Sequence, residues 1–154
     1  MIVGRYYVTP LNYHGFVLTG GVFTQLDFPG SLETSVLGIN SGGEIVGIFE
    51  ASNITFHSFT YQNGIYTQVD YPGATDTELH GINDRGDMVG AYSTDSRAHY
   101  HGFLYKDGVF TPFDPPYVTS LLWTFPQGIN NKGQIVGDYY DVSMYHWGFL
   151  AQYQ

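Results

Sequence analysis

A Val-Gly pair recurs along this chain at Gly4, Gly47, Gly90 and Gly137, in steps of 43, 43 and 47 residues, and no other feature constrains the fold so tightly. A Gly-Ile-Asn triplet begins at Gly38, Gly81 and Gly128, and a His-Gly-Phe-type box sets Phe16, Phe59, Phe103 and Phe149 at nearly the same interval. Self-similarity with a period of about 20–50 residues marks stacked supersecondary units, each too small to bury its apolar face alone. The longer last step places an insertion between Asp114 and Gly128, which reads as a surface loop carrying Trp123.

Within one unit, Leu79 to Asn83 reads as a strand, Asp84-Arg85-Gly86 as a tight turn, and Met88 to Ser93 as the returning strand. His101 to Lys106 alternates as a third strand, and Val109 to Asp114 as a fourth that stops at Pro115-Pro116. Four short strands per period predict an all-β chain, a small β-propeller of about four blades of four antiparallel strands. The chain enters at a second strand and leaves after a third, so the first and last blades are each one strand short. One domain then spans residues 1–154, in units of approximately 1–37, 38–80, 81–127 and 128–154. Unpaired blade edges are association sites, which makes a homo-oligomer an expectation.

The run Gly-Ile-Asn-Asp-Arg-Gly-Asp-Met-Val-Gly-Ala-Tyr, then His-Gly-Phe-Leu-Tyr, then Gly-Val-Phe-Thr, resembles the HAF family of probable extracellular repeats, across essentially the whole chain. Ser58 and Trp147 depart from its His-Gly-Phe box. The resemblance implies a secreted bacterial or environmental repeat protein, and it carries no agreed activity or catalytic motif. Met1-Ile2-Val3-Gly4-Arg5 shows neither a basic nor an apolar signal-peptide region, so extracellular location rests on that resemblance.

Composition narrows the function classes. Five Lys and Arg against 14 Asp and Glu give a net charge of −9, which argues against a nucleic-acid backbone or an anionic membrane as partner. Without cysteine, thiol catalysis and Cys-ligated zinc are excluded. No P-loop, dinucleotide fingerprint, Ser-His-Asp order or His-Glu-x-x-His motif is present, so no cofactor is expected.

Residues that recur in each unit are most simply explained by packing. Asp27, Asp70 and Asp114 read as turn caps, and Asn40, Asn83 and Asn130 as side chains that satisfy a hairpin backbone. His14, His57 and His101 read as hydrogen-bonded histidines rather than a ring of metal ligands, so no metal site is expected.

Positions that break the repeat carry the functional expectations, because chemistry with one acid and one base is not symmetric. Glu50 and Asp138 are singular carboxylates on second strands of different units, the residue types of a glycosidase pair separated by roughly 5–10 Å. An Arg5–Asp138 ion pair closing a ring is the simpler use of Asp138. Glu78 and His80 replace Ser35 and Leu37 of the preceding unit, and an imidazole so near a carboxylate suits acid–base or hydrogen-bonding work. Among 14 Tyr and 2 Trp, the rings of Tyr7, Tyr140, Trp123 and Trp147 match the apolar faces of sugars. The expectation is a secreted carbohydrate-binding propeller using Trp123, Trp147, Tyr7, Tyr140, Glu78 and His80. The alternatives are a glycoside hydrolase acting on plant-type, for instance xylan-derived, saccharides through Glu50 and Asp138, and a structural assembly module.

Overall fold

The computed structural model describes residues 1–10, 12–116 and 121–153. Fourteen strands form four antiparallel sheets, with no helix among the described residues. The first sheet holds β1 (Ile2–Thr9), β2 (Asn12–Thr19) and β3 (Val22–Gln25). The second holds β4 (Glu33–Ile39), β5 (Ile45–Glu50), β6 (Phe56–Gln62) and β7 (Ile65–Gln68). The third holds β8 (Asp76–Ile82), β9 (Met88–Ser93), β10 (His101–Lys106) and β11 (Val109–Phe113). The fourth holds β12 (Leu121–Ile129), β13 (Gln134–Asp141) and β14 (His146–Gln152). The outer sheets are thus each one strand short.

The sheets stack in chain order: β4 packs on β1 and β2, β8 on β5 and β6, and β12 on β9 and β10. Among the described residues no extensive packing joins the fourth sheet to the first, and a closed ring is not detected. Core side chains lie between sheets, with Phe49 and Phe59 facing Leu26 and Val17 of the preceding layer, and Leu79 and Phe103 facing Val46 and Tyr71.

Backbone geometry accounts for the recurring Val-Gly pair. In β4, β8 and β12 the ladder is irregular between Val36 and Gly38, Leu79 and Gly81, and Pro126 and Gly128. Opposite these bulges, a Cβ on Gly47, Gly90 or Gly137 would collide with the carbonyl oxygen of Ser35, Glu78 or Phe125. A side chain is excluded there by contact with backbone.

The hairpin asparagines act as the sequence predicts, and they do more. Asn83 Oδ1 accepts the main-chain N–H groups of Arg85 and Asp87, which closes its own turn. Its amide also reaches the carbonyl of Asn130, and the Asn40 amide reaches that of Asn83, both at 3.2 Å. Alongside, Asp84 Oδ1 accepts Ser41 N–H at 2.8 Å, and Asn131 Oδ1 accepts Asp84 N–H at 2.9 Å. A polar ladder therefore runs from sheet to sheet along one end of the stack.

The expectation that Asp27, Asp70 and Asp114 cap their own turns is corrected. Each binds the central strand of its sheet: Asp27 takes His14 Nδ1 at 2.7 Å and Gly15 N–H, Asp70 takes His57 Nδ1 at 2.8 Å and Ser58 N–H, and Asp114 takes His101 Nδ1 at 2.7 Å and Gly102 N–H. Each Asp stands 13 positions after its His, across the hairpin, so the pair clasps the outermost strand where its ladder ends. The fourth sheet has Trp147 at the His position and no fourth strand among the described residues.

Residues 117–120, part of the predicted insertion loop, lie outside the described residues. The rest of that segment departs from the prediction. Trp123 stands within β12, paired with Tyr140 on β13, because Leu121 to Ile129 continues the first-strand position of the fourth unit.

Candidate functional site

The seam between the third and fourth sheets differs in its residues from the one before it. At the preceding interface, Asp76 is buried at the start of β8 and accepts Phe56 N–H at 3.1 Å. Arg97, on the β9–β10 connection, reaches back across that seam. Its Nε lies 3.6 Å from Asp76, its terminal nitrogen donates to the Ile54 carbonyl at 2.9 Å, and its guanidinium covers the Phe56 ring. Cation, carboxylate and ring close the seam together.

One unit later the same positions hold different residues. Trp123 stands where Asp76 stood and Met144 where Arg97 stood, 47 residues on in each case. The seam stays open as a groove of about 470 Å³ lined by Arg97, Tyr100, Trp123, Phe125, Tyr140 and Met144. Its walls are built by a short parallel bridge between Tyr100 and Trp123, in which Tyr100 N–H bonds Leu122 and Thr124 N–H bonds Tyr100. That bridge adds Tyr100 to the free edge of β12 and brings the third sheet's ring beside the fourth sheet's.

The rings are held by one another and by polar anchors. Trp123 meets Tyr140 edge-on at 5.5 Å and 70°, Tyr100 lies 5.1 Å from Phe125, and His146 stacks on Tyr140 at 4.3 Å and 8°. Trp123 Nε1 donates to the Ala98 carbonyl at 3.2 Å, which fixes the indole across the seam. Edge-on and tilted pairs of this kind are the favoured aromatic geometries.

Behind the rings sit Glu78 and His80, neighbours on one strand of the third sheet. His80 Nε2 faces Glu78 Oε2 at 3.2 Å and Nδ1 faces the Pro126 carbonyl at 2.8 Å. A carbonyl oxygen only accepts, so the proton on that side belongs to Nδ1. Burial, and then the adjacent Glu78 carboxylate that accepts its hydroxyl, push the Tyr100 phenol far above its ordinary value. Tyr100 is therefore a neutral donor throughout the ordinary pH range, and it ties the groove wall to the carboxylate beneath.

The sequence-predicted residues divide accordingly. Trp123 and Tyr140 line this groove, and Glu78 and His80 lie behind its wall, against Tyr100 and Phe125. Trp147, 52% exposed, lies further along β14 beside Tyr145, and Tyr7, 57% exposed, lies on the first sheet against Tyr13 and Arg5. Glu50 ends β5 beside Glu33, while Asp138 on β13 takes Gln127 and His146 Nε2 at 3.1 and 2.9 Å. The whole third sheet lies between those two carboxylates. Arg5 bonds Ser35 and lies over Tyr7 and Tyr13, and no Arg5–Asp138 pair forms among the described residues.

Sequence reasoning missed Arg97, Tyr100, Phe125 and Met144. One signal was readable: at one repeat position a charged Arg97 stands between the apolar Ile54 and Met144, and the structure gives all three a positive φ (64°, 73° and 63°). Neither a family model nor a curated protein matches this chain.

Proposed function

We propose that this protein is a secreted carbohydrate-binding module whose four sheets are the blades of a propeller-like fan. The fan is supported by the convergence of the inner strands, where a Cβ on Gly81 would meet the Cα of Gly128 at 2.9 Å and the Gln127 carbonyl at 3.1 Å. Secretion is supported by the likeness of its boxes to extracellular HAF repeats.

The observation that carries the binding reading is the groove at the broken seam. Where the seam before it is closed by Arg97 and Asp76, this seam instead presents Trp123, Tyr140 and Tyr100 around an opening of about 470 Å³, within the usual size of small-ligand sites. Flat rings take the C–H face of a pyranose. Arg97, with 39% of its side chain exposed, supplies donors for hydroxyl oxygens at the rim. The carboxylate behind the wall is already engaged by His80 and Tyr100, an arrangement suited to holding a ring in place rather than to protonating a glycosidic oxygen.

Tryptophan fluorescence titration with xylo-, cello- and manno-oligosaccharides tests this, using Trp147→Phe so that Trp123 is the only indole. Saturable quenching of that indole, with an affinity that Trp123→Ala in the parent weakens by at least about tenfold in isothermal titration, supports the reading, since stacking of a base on one ring contributes about 1–3 kcal/mol. Absence of saturable binding across such a panel rejects it. Release of reducing ends at the same concentrations would move the assignment to a hydrolase.

A further inference from the structure

Arg97 is the one charged residue in the lining of the groove between the third and fourth sheets, in a chain with only five Lys and Arg. The backbone that carries it is tied at four successive residues. Ser96 N–H bonds Thr75 Oγ1 at 3.2 Å, Arg97 N–H bonds Ser93 Oγ at 2.9 Å, the Ala98 carbonyl accepts the Trp123 indole at 3.2 Å, and His99 N–H bonds Asp95 at 2.9 Å. Arg97 itself holds a φ of 73°, a conformation that persists where the surroundings over-determine it. A loop so tied presents its side chain with little further loss of freedom on binding.

The guanidinium is held as well, and asymmetrically. Its Nε lies 3.6 Å from Asp76, its Nη2 donates to the Ile54 carbonyl at 2.9 Å, and its carbon lies 5.1 Å from the centre of the Phe56 ring. Asp76 is 2% exposed and Arg97 39%, so the negative member of the pair is buried and a ligand meets the positive one. Arginine carries five N–H donors in a flat fork. Among the described residues no protein acceptor bonds the Nη1 side of that fork. The charge acts within the groove, since it lowers the Tyr100 phenol against the larger upward push of burial and of Glu78.

The carboxylates nearest this seam face donors of their own. Glu78 lies behind the wall, engaged by Tyr100 and His80, and Asp138 is engaged by Gln127 and His146. The remaining acids of a chain of net charge −9 act from further away, and at physiological salt the screening length is about 8 Å. The nearby cation therefore outweighs the overall charge at the groove.

We infer that the ligand of this groove is an acidic saccharide, an oligosaccharide with a uronic acid residue whose carboxylate is taken by Arg97 while a sugar ring lies on Trp123. The inference rests on the carbohydrate reading of the groove and narrows it. Guanidinium and carboxylate are both planar, and two parallel N–H bonds between them are charge-assisted, about twice as strong as neutral ones. A hydroxyl offers the same fork a single, uncharged acceptor. The repeat position confirms nothing of the sort elsewhere, since Ile54 and Met144 hold it in the neighbouring units.

The test uses oligosaccharides carrying one glucuronic, galacturonic or mannuronic residue, each beside its methyl ester, in isothermal titration of the whole protein at physiological salt. Acid and ester share every ring and hydroxyl and differ in one charge, so stacking is held constant. Expected is saturable binding of both forms, with at least one acid about tenfold or more tighter than its ester. Acid and ester are expected to bind alike to Arg97→Gln. Should that variant unfold because Asp76 loses its partner, side-chain NMR of the parent decides, with the Arg97 Nε–H resonance shifted by the acid and not by the ester. Equal affinity for acid and ester across the panel, a preference that survives in folded Arg97→Gln, or an unmoved Arg97 resonance would each overturn the proposal while leaving the carbohydrate reading in place. No saturable binding of any saccharide, acidic or neutral, overturns both.

Discussion

The side-chain amide of Asn83 donates to the main-chain carbonyl of Asn130, 47 residues further along the chain, while its Oδ1 closes its own hairpin and its Nδ2 also holds Asp87. One buried side chain thus serves a turn, a neighbouring carboxylate and the next sheet. Asn83→Ala leaves buried partners unsatisfied and is expected to cost about 2–3 kcal/mol. In a chain of this size, that corresponds to a fall of about 4–10 °C in thermal midpoint. Asn130→Ala, at an exposed position whose amide reaches no further sheet among the described residues, is expected to cost much less, and differential scanning calorimetry of the pair checks the contrast.

Close backbone approach makes the second prediction. A methyl group at Gly81 would sit 2.9 Å from the Cα of Gly128, with backbone rather than a movable side chain in its way. Gly81→Ala is expected to destabilise by about 1–3 kcal/mol through overpacking. Gly128, whose nearest contact is Val136 at 3.8 Å, is expected to accept Ala with little change in urea midpoint.

Acid sensitivity follows from Asp87. Burial raises its pKa, but the Asn83 amide and the Arg85 guanidinium outweigh that and hold the carboxyl below its ordinary value. A depressed folded-state pKa gives stability that is present above the unfolded value and is lost as pH falls through the folded one. Thermal midpoints of the parent are therefore expected to fall below about pH 4, and Asp87→Asn is expected to flatten that fall. An unchanged slope in the variant rejects the assignment.

Ile54 has φ of 64° and is 59% exposed, a left-handed conformation for a β-branched residue with little packing in return. Ile54→Gly is expected to raise stability by about 1 kcal/mol, as relief of strain exceeds the added flexibility of the unfolded chain. A lower midpoint would show that the contacts of Ile54 outweigh its strain.

In saccharide retention, Glu78→Gln and Glu50→Gln separate the two carboxylates that the sequence singled out. Glu78 holds Tyr100 and His80 behind the groove, so its amide form is expected to weaken binding by about tenfold. Glu50→Gln and Asp138→Asn are expected to leave it unchanged in isothermal titration.

The strands were legible because period-two alternation and Gly-containing turns are local signals. Met88 to Ser93 and His101 to Lys106 fall where the residues place them. The extension of β8 back to Asp76 was not legible, since Asp76 owes its place to Phe56 N–H and Arg97 from other parts of the chain. Glu78 and His80 stood out as departures from the repeat, Trp123 by its place in the insertion and Tyr140 among the aromatic side chains of the second strands. Their meeting point depended on Met144 failing to do what Arg97 does, a difference visible only across a seam. The same reasoning misled at Trp123, because an insertion in length was equated with a loop while the added residues precede a strand.

Because each layer among the described residues packs extensively only on the layer before and after it, no single centre holds the rest together. Its stability is closer to a sum of local terms and nearest-neighbour couplings. Hydrogen exchange is then fastest in the three-stranded layers at either end and slowest where Phe59, Leu79 and Phe103 lie between two complete ones.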